Sequence, residues 1–190
     1  GGICVFFFKK KIRSLGFFFY GLAGIFLAMR GFEHLARPLG KMNALLPLFM
    51  EMNDHFYLAA IIGTIFTAII QSSTAMTGIA MGFIHSGVIN LSAAIAIMLG
   101  ANIGTCADSF IASIGGGRDA KRAAYAHIYV NVIGVLLFLP FTQAFSKVVQ
   151  LLSPLPEVQL AHASVIFNVA VSLLFLPLTK KFAALLVRLH

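Results

Sequence analysis

Gln71-Ser72-Ser73-Thr74 is a run of four neutral polar side chains set between two apolar arms, Phe56 to Ile70 and Ala75 to Val88. Amides and hydroxyls in that setting bind ions through dipoles rather than through fixed charge. If a helix starts near Thr74 and Ala75, its first N–H groups lack intrahelical partners and attract an anion. The oxygens of Gln71, Ser73 and Thr74 suit a hard cation such as sodium. Some thirty residues on, Gly100-Ala101-Asn102-Ile103-Gly104-Thr105 sets Asn102 between two glycines with Thr105 after the second, a pattern that predicts an unwound helix with free carbonyl and amide groups. These hydroxyls have a plainer use, bonding back to helical carbonyls or holding helices together. Four polar residues in succession favour a site, whereas an isolated hydroxyl favours packing.

Asp108 is the one acid inside an expected span, three residues past Thr105, and carboxylates at such depth are candidates for cation ligands or proton relays. The alternative for it is a watery position near the cytoplasmic mouth. His127 and Asn131 lie four apart on one helical face and read first as a structural polar pair. Ser72, His127 and Asp108 include side-chain types used by hydrolases, but no nucleophile elbow or metal-ligand spacing accompanies them, so an intramembrane enzyme is the weakest reading. Cys4 and Cys106 give neither zinc spacing nor a disulfide framework and read as packing residues.

The elements that must position these groups follow from composition. Apolar residues fill 59% of the 190 positions and charged ones 11%, against roughly 25% charged in a soluble domain. The expected fold is an all-α integral membrane bundle in a single membrane domain. Its expected parts are a stub and basic segment over residues 1–14, a transmembrane helix over 15–29, a re-entrant hairpin over 56–88, a broken transmembrane helix over 91–114, and transmembrane helices over 123–141 and 160–178. The hairpin follows from length: each arm covers only about 20 Å at 1.5 Å per residue, short of the roughly 30 Å hydrocarbon core, and the polar run falls at the tip. Gly16, Gly21 and Gly24 predict close approach of another helix to the first span. Between the first span and the hairpin lies a polar connection, with Met42 to Met52 expected as a short interfacial helix.

Asn131-Val132 and Asn168-Val169 are each followed, at matching offsets, by Leu-Leu-Phe-Leu-Pro ending at Pro140 and Pro177, which reads as a duplication. The net charge of +8 comes from short clusters at the ends of apolar runs, so it argues for membrane topology and against nucleic acid. With the hairpin returning to its own side, Lys and Arg divide ten to four in favour of the face that carries both termini. The positive-inside rule makes that face cytoplasmic, in a multi-pass protein of the plasma membrane.

Taken together, Gln71-Ser72-Ser73-Thr74-Ala75, Gly100-Ala101-Asn102-Ile103-Gly104-Thr105, and Arg118-Asp119-Ala120-Lys121-Arg122-Ala123-Ala124 leading to Ala126-His127 and Asn131 resemble the type II sodium–phosphate cotransporter family in its bacterial form. The resemblance extends from about Leu15 to the C-terminus. It implies two inverted repeats, each with such a hairpin, that couple sodium movement to phosphate transport, with the bilayer as surroundings. By resemblance Gln71, Ser72, Ser73 and Thr74 bind phosphate, and Gln71, Ser73, Thr74, Asn102 and Thr105 line the sodium sites. Asp108, His127 and Asn131 remain further candidates. Sodium is the co-transported ion, and no organic cofactor is expected. Only one repeat is present, most like the second, so a missing N-terminal half or a partner chain is expected to supply the other. Cys106 stands where the family often has a second threonine, and Ser164 where it has a histidine. His162 lies two residues earlier, and neither is assigned to the site. Alternatives are a transporter of another oxyanion, or a non-transporting membrane assembly subunit that depends on a partner.

Overall fold

The computed structural model describes residues 10–40 and 46–189. The stub over residues 1–9, with Cys4, and the start of the expected interfacial helix lie outside the described residues. All described elements are helical. They are α1 (Lys10–Gly40), α2 (Leu46–Asp54), α3 (Phe56–Ile70), α4 (Ser73–His85), α5 (Leu91–Gly104), α6 (Cys106–Ser113), α7 (Arg118–Phe138), α8 (Thr142–Gln150), α9 (Pro156–Phe175) and α10 (Thr179–Leu189). Among the described residues, three stretches are long and apolar enough to cross a membrane: 91–113, 118–150 and 156–189.

Helix α5 is the axle of the bundle. Every residue from Ala93 to Ala101 is buried, and α3, α4, α7, α8 and α9 all pack against it. A helix that is apolar on all sides needs neighbours all round, and α5 has them.

The tightest seam joins α5 to α3. A Cβ built on Gly100 would collide with the Ala60 carbonyl, and one on Gly63 with the Ile97 carbonyl. One on Gly104 would sit 2.6 Å from both the Thr64 carbonyl oxygen and the Thr67 Cβ. The hydroxyl of Thr64 crosses the seam, lying 3.0 Å from the Gly100 carbonyl oxygen and 2.9 Å from that of Ala60. Residues 60 to 67 thus meet residues 97 to 104 in the same chain direction, and the small side chains let the two backbones touch.

This seam corrects the expected break in the helix. Gly100 and Gly104 both lie inside α5, and the interruption narrows to Thr105, whose φ of −66° and ψ of −17° are nearly helical. The two glycines, four apart, serve close packing rather than unwinding.

Since α3 and α5 run in parallel, the chain must return between them, and α4 does so. Asn53 and Asn90 join the two starting points. Asn53 Oδ1 accepts from the Asn90 N–H at 2.7 Å, Asn90 Nδ2 donates to the Asn53 carbonyl at 3.2 Å, and Asn90 Oδ1 caps α5 by accepting from the Ala93 N–H at 2.8 Å. Replacing an N-cap asparagine by alanine costs about 1 kcal/mol. Asn90→Ala also breaks the tie to Asn53, so it is expected to lower thermal stability more than Asn53→Ala does, with a positive coupling energy in the double-mutant cycle.

The first helix extends beyond its expected end, from Lys10 to Gly40, because the sequence past Met29 stays helical instead of turning into a loop. Gly21 and Gly24 on it have nothing within 4 Å of a built Cβ, so the close approach expected there is not made among the described residues. The later helices begin and end a few residues from expectation, at Arg118–Phe138 and Pro156–Phe175.

The duplicated segments adopt the same local structure. Pro140 and Pro177 each sit in a three-residue 3-10 turn, Leu139–Phe141 and Leu176–Leu178. A proline cannot donate to the helical ladder, and the tighter turn absorbs the loss. Two residues on, the Thr142 hydroxyl donates to the Leu139 carbonyl at 2.6 Å and that of Thr179 to the Leu176 carbonyl at 2.7 Å.

Candidate functional site

The expected hairpin tip is the most strained point of the described backbone. Gln71 has a φ of 61°, the only non-glycine residue with positive φ among the described residues, and its N–H donates to the Thr67 carbonyl at 2.7 Å to close α3. Glycine usually fills such a left-handed cap, and another residue there costs roughly 1–2 kcal/mol. Strain of this kind collects at functional positions.

Ser72 then turns extended and caps α4, its Oγ accepting from the Ala75 N–H at 3.2 Å while its carbonyl accepts from the Met76 N–H at 3.1 Å. The N–H groups of Ser73 and Thr74 have no partner among the described residues and mark the open positive end of α4.

That end faces a cavity of about 550 Å³. Ser72 lines it from the turn, Ser73, Thr74 and Thr77 from α4, and Asn102 from α5; Ser164 and Asn168 of α9, and Ile25 and Ala28 of α1, also line it. Among the described residues, none that lines the cavity carries a formal charge. Of the candidates from sequence, Ser72, Ser73, Thr74 and Asn102 are therefore brought together. Gln71 is exposed beside them, and Thr105 lies off the cavity wall with its hydroxyl donating back to the Asn102 carbonyl at 2.8 Å.

Asp108, His127 and Asn131 fall outside this cavity. His127 meets α6, its Nδ1 lying 2.6 Å from Ser109 Oγ. Asn131 Nδ2 donates to the backbone carbonyl of His127 at 3.0 Å, so the expected pair forms through the main chain rather than between side chains. Asp108 Oδ1 is buried without a hydrogen-bond partner among the described residues.

Sequence reasoning left Ser164 unassigned and did not place Asn168 at the site. The signal for Asn168 was present in the duplication, because Asn168 repeats the bond of Asn131: its Nδ2 donates to the Ser164 carbonyl at 2.8 Å, again four residues back. Asn102 does the same to the Met98 carbonyl at 2.8 Å.

Comparison with known proteins agrees with this arrangement of motifs. The description of the Na+/Pi-cotransporter family matches residues 39–177, well over half of the chain. The chain belongs to that family. It is 44% identical over 153 residues to "Uncharacterized protein YqeW" of Bacillus subtilis (strain 168), covering 80% of this chain and 50% of that protein. It is 27% identical over 161 residues to "Putative inorganic phosphate export protein YjbB" of Escherichia coli (strain K12), covering 84% of this chain and 30% of that protein. To "Sodium-dependent phosphate transport protein 2B" of Homo sapiens it is 29% identical over 137 residues, covering 69% of this chain and 19% of that protein. The chain thus spans half or less of the length of these relatives. No solved structure matches it. The family is described as one of cotransporters of sodium and phosphate.

Proposed function

We propose that this chain is one repeat of a sodium-coupled phosphate transporter, with phosphate bound at the α3–α4 turn. The observation that carries this is the pair of free amides, Ser73 and Thr74, on residues that line a cavity whose described wall holds no formal charge. Oriented N–H groups favour an oxyanion, yet an anion in a neutral, partly dry site remains uncompensated. A co-bound cation supplies the missing charge, which is a physical basis for coupling. The relatives named for sodium-dependent phosphate transport agree with that choice of ions.

The turn reads as the tip of a re-entrant hairpin. At 15 and 13 residues, α3 and α4 are about 22 and 20 Å long, and the α3 end packs beside Gly104, well inside the stretch from Leu91 to Ser113. The second hairpin comes from a longer chain or from a partner, and both termini face the cytoplasm of a cell whose plasma membrane holds the protein. Gln71, Ser72, Ser73 and Thr74 would hold phosphate, and Gln71, Ser73, Thr74, Asn102 and Thr105 would serve sodium.

Radiolabelled phosphate flux into vesicles, with sodium gradients imposed in each direction, tests the proposal. Flux that follows the sodium gradient is expected, and flux indifferent to sodium would reject coupling. Flux from inside to outside only would favour the export direction in the name of the Escherichia coli relative. A second hairpin-bearing chain that copurifies, with no flux from either chain, would instead mark an assembly subunit.

Gln71→Gly separates strain from function. Relieving the left-handed residue is expected to raise stability by about 1 kcal/mol, seen as a higher unfolding temperature, while phosphate flux falls. Higher stability with unchanged flux would remove the Gln71 side chain from the site.

A further inference from the structure

The cavity wall carries two kinds of polar group. At the start of α4 the main chain offers donors. Three side chains elsewhere on the wall have a donor engaged with their own helix: Asn102 Nδ2 on the Met98 carbonyl, Asn168 Nδ2 on the Ser164 carbonyl, and Thr77 Oγ1 on the Ser73 carbonyl, each at 2.8 Å. A carbonyl partner demands the NH2 end of an amide and takes one of its two protons, which fixes the flip and leaves each asparagine Oδ1 without a hydrogen-bond partner among the described residues. The threonine, its proton spent, keeps only lone pairs. These three residues come from three helices, α5, α9 and α4, that pack on one another around the same cavity.

Three such oxygens, converging on one cavity from three helices, suit a hard cation. We propose that Asn168 and Thr77, with Asn102, form a sodium subsite on the wall of this cavity, the amide Oδ1 atoms and the threonine Oγ1 being the ligands. The subsite rests on the transport reading above and gives the co-bound cation a place. It also gives a use to Asn168, whose counterpart Asn131 makes the same backbone bond outside the cavity.

The test is sodium titration of the purified full chain, read by thermal unfolding, with choline replacing sodium at constant ionic strength. Phosphate binding at saturating sodium is measured alongside by equilibrium dialysis. Asn168→Leu and Thr77→Val keep volume and remove the oxygen ligand. The wild type is expected to gain stability saturably with sodium. Each variant is expected to need at least about tenfold more sodium for half of the effect, in line with a lost ligand worth about 1.4 kcal/mol, while phosphate binding at saturating sodium stays within about twofold. Two variants that titrate like the wild type would overturn the subsite and leave phosphate binding at the turn intact. A wild type that binds phosphate but ignores sodium would overturn the subsite together with the coupling, and one that responds to neither ion would remove the transport reading as well.

Discussion

Gly100→Leu is expected to yield no monodisperse protein in detergent, and Gly100→Ala to unfold at a clearly lower temperature than the wild type. The reason is where a Cβ would go. At Gly100 it meets the backbone of Ala60, which has no rotamer to change, so α3 and α5 must separate along their whole seam. Helix propensity opposes this, since alanine is about 1 kcal/mol better than glycine in a helix interior. Overpacking costs up to about 3 kcal/mol and more where backbone is struck, so the clash wins. At about 2–4 °C per kcal/mol for a chain of this size, Gly100→Ala should lower the unfolding temperature by several degrees. Gly21→Ala and Gly24→Ala on α1 are the controls. Among the described residues nothing lies within 4 Å of either position, so propensity acts alone and both are expected to stabilise. If Gly100→Ala behaved like those two, α3 and α5 would not be in backbone contact.

Ser73→Pro is expected to cut phosphate binding by about 10- to 100-fold while leaving the fold in place. Ser73 is the first residue of α4, the one helical position where proline is well tolerated. Ser72 before it has φ −151° and ψ 104°, the extended conformation that a following proline requires. The substitution therefore deletes one free amide without breaking the helix. A hydrogen bond to a charged group contributes about 1.5–3 kcal/mol, which gives the expected range. Ser73→Ala removes the hydroxyl and keeps the amide, so its loss should be distinctly smaller. Equal losses in the two variants would move recognition from the main chain to the side chain. Full binding by Ser73→Pro would remove the α4 terminus as the anion site.

Much of the architecture was legible because membrane helices announce themselves by composition. Phe56–Ile70 ends where its apolar run ends, and the polar run after it becomes the turn and the first residues of α4. The family was legible too, since its motifs lie on local stretches of chain. Pro140 and Pro177 marked the ends of α7 and α9 within two or three residues, because proline acts on its own turn.

Gly100 and Gly104 show the limit of local reading. Glycine permits both an unwound backbone and a close helix contact, and the local sequence is the same in either case. Only the arrival of Ala60, Gly63, Thr64 and Thr67 on a parallel helix decides for contact. Asn131 and Asn168 show it again: they share one sequence pattern and one backbone hydrogen bond, but only Asn168 lines the cavity. Composition and short motifs settled that this chain is a bundle of membrane helices with a polar turn, because those depend on neighbours a few residues away. Which polar groups share a cavity was decided by how α4, α5 and α9 pack, and that depends on residues up to about a hundred positions apart, whose meeting no short stretch of chain encodes.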